Sequence, residues 1–507
     1  MTRPRLETEI CIVGAGAAGC LLAHALARSG IRTIVLDAGG RTAASPAAIG
    51  MDSRFGQAVY SGATEGRYFG LGGSTAHWGG LLAPHDEANI EGNDPHDAAW
   101  RHIVDSAGAE APRVLDILGF PGGPDFVERA DAIGRDAVSA LRGVGISTSA
   151  ALHLPFRRKN LLWLLDAAAR EAAPPHVVPQ ATAIGWQSDL ARPTRIDSIR
   201  ARACDGSEME IGAHRFVIAA GALESARLLL ELRESPAGKA IPATALIGQG
   251  LSDHLSLPIA DVAEGDLALA ASLFAPRFDG AWMRSFRMTA AHAPRSFAHF
   301  TFAMDGAGFR VAKELLQAVQ RRSWPQTGLR EAGRATAELT RIAWTRLARR
   351  RLHIATGAPT HLQLDIEQRP AAANQLRLGE ERDRHGRRIP IIDWRIGEDD
   401  LARAEQLAAL YLERWRSAGA TLPALLPRPL SPASTKPHDA YHPAGLTRIG
   451  QDRAATVDRE LRVHGFDNLF LVSTGVLPSP GTANPTFTML CLANRLARSL
   501  GDANMPG

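Results

Sequence analysis

The chain has 507 residues, 45% of them apolar and 22% charged, with 48 glycines, 31 prolines and no Gly-X-Y period. Those values exclude a collagen-like or disordered chain and fit two or three packed units. Its 57 basic residues face 53 carboxylates for a net charge of +4, and only Arg341 to Arg351 gathers arginines, so no nucleic-acid partner is expected.

The first predicted unit runs from Glu9 to Gly40. Ile10 to Val13 reads as a buried parallel strand, followed by Gly14, Gly16 and Gly19. An Ala/Leu helix then continues to about Ser29, and Thr33 to Leu36 is a second strand closing on Asp37. In such a βαβ unit the first glycine allows a tight turn and the second lets a pyrophosphate approach the backbone. The third lets helix and strand pack closely. The N–H groups at the helix start, at Ala17 and Ala18, can hold phosphate oxygens. Asp37, 23 residues after Gly14, suits ribose hydroxyls and favours FAD or NAD over NADP.

Further along, Phe69 to Asp86 is a second Gly-rich stretch, read as a loop whose backbone approaches something closely. Helices are expected near Glu128 to Leu141 and Leu161 to Glu171. Short strands follow at Val177 to Trp186, Ile196 to Cys204 and Glu208 to Ile211. The run HRFVIAAGALESARLLLELR predicts a buried strand, a small-residue turn at Ala219 to Gly221 and a helix from about Glu224. Alternating apolar positions around Phe297 to Met304 and His361 to Gln368 predict antiparallel strands with one covered face. Helices are expected at 309–321 and 327–351. The second sets Leu339, Ile342 or Ala343, and Leu347 against arginines, as a solvated surface helix does. A Pro-rich linker, Ala424 to Pro437, leads to a motif-dense C-terminal segment.

Four scattered cysteines (Cys11, Cys20, Cys204, Cys491) without a CxxC pair point to neither a disulfide framework nor a metal site. The first residues hold no apolar core of roughly 7–15 residues before a cleavage site. No run nears the ~18 apolar residues of a membrane span, so a cytoplasmic location is expected.

Six segments in order resemble the glucose–methanol–choline (GMC) family of FAD-dependent oxidoreductases. They are the N-terminal glycine unit, LGGSTAHWGG, IAAGALESARLLL, GQGLSDHLSLPI, the run EQRP…NQLRL…DRHGRRIPIIDWRI, and YHPAGLTRIG…NLFLVSTGVLPSPGTANPTFTMLCLANRLA. The resemblance implies an α/β fold with a Rossmann-like FAD-binding domain plus an antiparallel-sheet substrate-binding domain with helices. The FAD domain would be discontinuous (1–85, 172–255 and 438–507), with 86–171 a mixed connecting segment and 256–437 the substrate domain. The implied reaction is oxidation of a small-molecule alcohol, sugar-like or a secondary metabolite, to a carbonyl. The acceptor of the electrons (oxygen, quinone or a carrier protein) is left open. The alternative within this fold is an FAD-containing lyase acting on cyanohydrins or acids, while the N-terminal unit alone would also allow an NAD-dependent dehydrogenase.

Oxidising an alcohol by hydride transfer requires a base for its hydroxyl proton, and a neutral histidine suits that role. His442, before Pro443, matches the family's catalytic His-Pro-x-Gly motif. Asn484 in Gly-Thr-Ala-Asn-Pro matches its second His or Asn position, where an amide can orient the substrate oxygen. The cofactor-binding positions implied are Gly72, Gly73, Ser74, His77 and Trp78 in the second loop, Ala220 and Gly221 after the buried strand, and Gly475, Asn484, Pro485 and Thr486. The helix from Thr486 would turn its positive end to the flavin. His77 stands where some members link covalently to the flavin; a covalent bond and noncovalent packing both remain open. His254 is read as structural. Leu446, Ile449 and Ser473 depart from the family pattern, where Thr, Met and an acid are usual.

Overall fold

The computed structural model describes residues 4–120, 133–189, 191–304, 306–321, 333, 335–430 and 437–502. The start of the helix expected at Glu128 to Leu141, the beginning of that at 327–351, and 431–436 of the Pro-rich linker lie outside the described residues. The fold mixes helices and sheets as expected for this class. Among the described residues no helix is long and apolar enough to cross a membrane.

The run Ile10–Val13 is apolar throughout, so it can only be buried on both faces, as a central parallel strand is. It lies inside a seven-stranded sheet ordered His176–Val178, Thr33–Leu36, Arg5–Val13, Glu208–Ile218, Ser198–Ala203, Ala181–Gln187, with Leu469–Leu471 also paired to Glu208–Ile218. Five of these strands, from His176–Val178 through Thr33–Leu36, Arg5–Val13 and Glu208–Ile218 to Leu469–Leu471, run parallel, with Ile12 opposite both Val35 and Val217. Ile10, Cys11, Ile12, Val217 and Ile218 are fully buried. The helix Ala17–Arg28 packs on this sheet, and the C-terminal helix Thr486–Asp502 packs against that helix.

Several boundaries differ from expectation. Val177 to Trp186, expected as one strand, divides into His176–Val178 beside Thr33–Leu36 and Ala181–Gln187 beside Ser198–Ala203. The first strand begins at Arg5 rather than Ile10, and the strands expected at Glu208 to Ile211 and in HRFVI are one strand of 11 residues. The two differences have one cause: Arg5 to Thr8 pair with Glu210 to Ala213, so the polar middle of the longer strand keeps a ladder partner. The helix expected from Glu224 starts at Gly221, whose φ of 75° suits a residue without Cβ.

The second sheet has nine strands, and its main path is ordered Leu425–Pro427, His254–Val262, Thr360–Glu367, Ser296–Phe302, Trp282–Ala290, Ile146–His153, Leu81–Leu82. It is antiparallel, with Leu364 opposite both Ala298 and Leu257. The alternation read at Phe297 to Met304 and His361 to Gln368 falls on two neighbouring strands of this sheet. The helix Thr336–Ala348 buries none of its residues, and Trp344 and Leu347 are exposed.

The hairpin Gln375–Arg382 and Arg388–Asp393 forms a separate three-stranded sheet with Arg54–Phe55 rather than joining the nine strands. Buried charge holds it elsewhere. Arg387 at its turn donates to Glu224 at 2.6 Å, and Arg227 donates to Asp383 at 2.7 Å, so the turn is clamped to the helix Gly221–Glu234. Arg227 is fully buried, as is the side chain of Asp383. Removing one partner of such a pair strands the other charge in low dielectric, which costs about 3–5 kcal/mol. Arg227→Met is therefore expected to lower stability by about that amount in urea unfolding. Arg54→Met, which breaks an exposed pair with Glu381, should change it by less than about 1 kcal/mol. Equal effects of the two would refute the clamp.

Candidate active site

A cavity of about 630 Å³ opens at the carboxyl ends of the parallel strands, lined by Gly14, Gly16, Ala17, Ala18 and Asp37 on one side. Each glycine of the first turn has its own geometry. Gly14 has φ 107°, and a Cβ there would lie 2.6 Å from the Ala219 carbonyl oxygen. Gly16 has nothing within 4 Å of its Cβ position, which leaves bare backbone facing open room. Gly19 stands behind the cavity wall, where a Cβ would come within 1.9 Å of the Gly14 oxygen, so helix and turn can touch only at glycine. Asp37 accepts the Ala15 and Gly39 N–H groups at 2.7 and 2.8 Å. Those bonds fix its carboxylate at the cavity and leave each oxygen a second lone pair.

The second Gly-rich loop forms the opposite wall. Gly72 donates its N–H to Ala15 at 2.8 Å, and a Cβ on Gly73 would lie 2.9 Å from Gly16 Cα, so the two glycine turns touch backbone to backbone. Gly73, Ser74, His77 and Trp78 line the cavity. The exposed His77 ring lies 4.8 Å from the Tyr68 ring, and the Trp78 indole donates to the Lys159 carbonyl at 2.7 Å. Ala220, Gly221, Ser473 and Thr486 complete the wall, the last at the start of the C-terminal helix. Gly475 is buried beneath it, donating to Ser473 Oγ at 3.1 Å, and Pro485 is buried beside Thr486.

His442 lies at one end of the same cavity. Local pairing brings it there: Ser252 and Ala444 form an antiparallel bridge, and Leu255 and Ser256 pair with Asp439 and His438. This ladder lays the segment 438–444 along the start of the strand His254–Val262. Asp253 secures it, accepting the backbone N–H of His442 at 2.8 and 3.0 Å and that of His254 at 2.7 Å. The Tyr60 hydroxyl donates to the same carboxylate. The Asn484 amide nitrogen stands 3.1 Å from His442 Nε2, and His254 Nδ1 stands 3.0 Å from His442 Nδ1.

The electrostatics keep the rings neutral. Burial deep in the protein pushes His442 down to about 4; Asp365 opposes the shift and Arg287 adds to it. His254 falls to about 3 and His85 to about 4, again chiefly through burial. Burial would raise Asp365, but hydrogen bonds from His299 and Ser256 hold it at about 2, an anion near His442. Burial lowers Arg287 to about 10; it lies over the Phe297 ring at 4.0 Å and donates to the Thr482 carbonyl.

The structure thus places His442 in the wall of the glycine-lined cavity and sets the Asn484 amide against its Nε2. His254, read from the sequence as structural, touches His442 directly. Asp253 lies in the GQGLSDHLSLPI run, which flagged the segment but gave this carboxylate no task. Tyr60 and Arg287 sit in stretches without motif, and nothing in their neighbours' pattern marks them.

A GMC oxidoreductase family model matches residues 370–493, and an FAD binding domain model matches residues 7–55. The chain is 24% identical to 6'''-hydroxyparomomycin C oxidase of Streptomyces lividus, over 97% of this chain and 91% of that protein. It is 34% identical to pyranose 2-oxidase of Lyophyllum shimeji over 22% of this chain, a stretch that spans 17% of that enzyme. Paromamine 6'-oxidase of Streptomyces fradiae matches at 32% over 27% of this chain and 26% of that protein. The fold is shared with pyridoxine 4-oxidase from Mesorbium loti (TM-score 0.57, 19% identity, 97% of this chain and 99% of that one). It is also shared with an Aspergillus oryzae formate oxidase variant (TM-score 0.59, 13% identity, 99% of each chain). The FAD binding domain match covers the glycine turn and the GMC oxidoreductase match covers the His-Pro segment, so the chain carries the parts of an FAD-dependent oxidoreductase similar to the GMC enzymes.

Proposed function

We propose that the protein oxidises the CH–OH group of a small-molecule alcohol to a carbonyl, with His442 Nε2 taking the hydroxyl proton. The observation that carries this reading is that His442, which lines the glycine-lined cavity, has the Asn484 amide 3.1 Å from its Nε2. Bare backbone at Gly14, Gly16 and Gly73 and the N-terminus of the helix Ala17–Arg28 fit a diphosphate, and Asp37 would hold the adjoining ribose. FAD, when bound there, supplies the hydride acceptor. The cofactor half would be built from 1–85, 172–255 and 438–507, the substrate half mainly from 256–437.

The chain's own residues do the rest. Asn484 can turn its amide from His442 to the substrate oxygen and fix its direction without competing for the proton. His442 is neutral at working pH because burial disfavours its cation. The helix Thr486–Asp502 points its N-terminus at the cavity, which favours negative charge there. The aminoglycoside and pyranose oxidases among the matches support a sugar-like alcohol as substrate; the lyase alternative draws no support from them. Anaerobic bleaching of the flavin by a panel of aminocyclitol, pyranose and aliphatic alcohols tests the substrate class, and reoxidation by air or by a dye tells oxidase from dehydrogenase. Failure of every alcohol to bleach the flavin would refute alcohol oxidation.

His442→Ala is expected to keep its yellow colour and lose about 10²–10⁴ in turnover, the usual worth of a positioned base. Near-normal turnover in that variant would remove His442 from the chemistry. In the intact enzyme kcat/KM should stay level from neutral pH to about 5 and fall roughly tenfold per unit below about 4, as His442 gains its proton. A limb near 6.5 would mean that the ring titrates as a solvated histidine.

A further inference from the structure

We propose that His254 is a positioning residue which decides the nitrogen of His442 that carries the proton. The inference rests on the reading of His442 as the base and adds a residue to it.

The hydrogen bonds run inward to His442 from a group whose role is fixed. His254 Nε2 lies 2.8 Å from the Gly481 carbonyl oxygen. A carbonyl oxygen only accepts, so His254 Nε2 carries hydrogen and, in the neutral ring, Nδ1 is a bare lone pair. That lone pair faces His442 Nδ1 at 3.0 Å, and two bare nitrogens cannot share a hydrogen bond. His442 must therefore be the donor, with its hydrogen on Nδ1, and its Nε2 is left unprotonated. The Asn484 amide nitrogen at 3.1 Å from Nε2 agrees from the other side, since an N–H donor there needs an acceptor.

The surroundings hold this order in place. His254 is fully buried, and its ring stands edge-on to His442 (centroids 5.2 Å apart, 86°) and to Phe297 (5.7 Å, 86°). Its backbone N–H is tied to Asp253, which also takes the His442 N–H, so the main chains that carry the two rings are held together. Without an acceptor at this position, His442 would be free to place its hydrogen on Nε2, and that form has no lone pair to offer a hydroxyl. When Nε2 takes the substrate proton, the electron pair of the broken O–H bond stays on the substrate oxygen, and the Nδ1–H of the new imidazolium keeps its bond to His254.

Two amide substitutions separate this role from simple tethering. His254→Asn sets a carbonyl oxygen where Nδ1 was, keeping the acceptor for His442 while giving up Gly481. His254→Gln reaches Gly481 but puts no acceptor at the Nδ1 position. With flavin content checked by absorbance, kcat is expected to fall by on the order of 10–10² in His254→Gln, because a wrong tautomer removes the base's lone pair. His254→Asn should stay within about fivefold of the parent, and KM should barely move in either. Loss in Asn equal to or greater than in Gln would overturn the proposal. Should either variant fail to hold flavin, long-range proton–nitrogen NMR of histidine-labelled holoenzyme decides: His442 is expected to show a protonated Nδ1 and a bare Nε2, and the reverse overturns the inference. The readings fail separately. An active His442→Ala would remove the base and this inference with it, whereas an inactive one with Asn no better than Gln removes only the role of His254.

Discussion

One buried carboxylate ties the site to the fold. Asp253 accepts the backbone N–H groups of His254 and His442 and the hydroxyl of Tyr60, so three segments distant in sequence meet at two oxygen atoms. A carboxylate out of water costs several kcal/mol unless its lone pairs are filled, so none of the three segments can withdraw without leaving that cost behind. Burial still raises Asp253 to about 7, against the pull of Tyr60 and the two N–H groups. The position of His442 thus depends on main-chain hydrogen bonds, and the imidazole itself is left to its ring neighbours and the cavity.

The same exclusion of water sets the charge state of the cluster. Histidines 85, 254 and 442 are all pushed well below the ordinary histidine range by burial, so at neutral pH they are hydrogen-bonding rings rather than cations. The fixed charges nearby are Asp365, held as an anion, and Arg287, a buried cation flat over Phe297. Their effects on His442 oppose each other, which leaves burial as the larger influence.

The features legible in the sequence were those with a local cause. Gly14, Gly16 and Gly19 announce themselves because each must lack a side chain for a reason within its own βαβ unit. His442 and Asn484 sit in loops whose Pro and Gly spacing resembles a known family. Features set by distant pairing were not legible. Nothing in Glu208–Ile218 reveals that Arg5 to Thr8 lie beside its polar half, and nothing in the hairpin 375–393 reveals that buried Arg387 and Asp383 pull it toward another helix. The contact of His254 with His442 belongs to this second kind. The motif marked both segments, but their side-by-side ladder and the carbonyl of Gly481 exist only in three dimensions.

That ladder carries a consequence for how the protein is made. The strand Leu469–Leu471 pairs with Phe216–Ile218, and His442 and Asn484 lie late in the chain, whereas the glycine turns come from the first 80 residues. During synthesis the glycine turns leave the ribosome hundreds of residues before His442 and Asn484. Closing such long loops is slow, and it leaves the Glu208–Ile218 edge uncovered meanwhile. A chain stalled before its last strand lacks Asn484 as well as the cavity wall at Ser473 and Thr486, so the cavity is completed only when the C-terminal segment has joined.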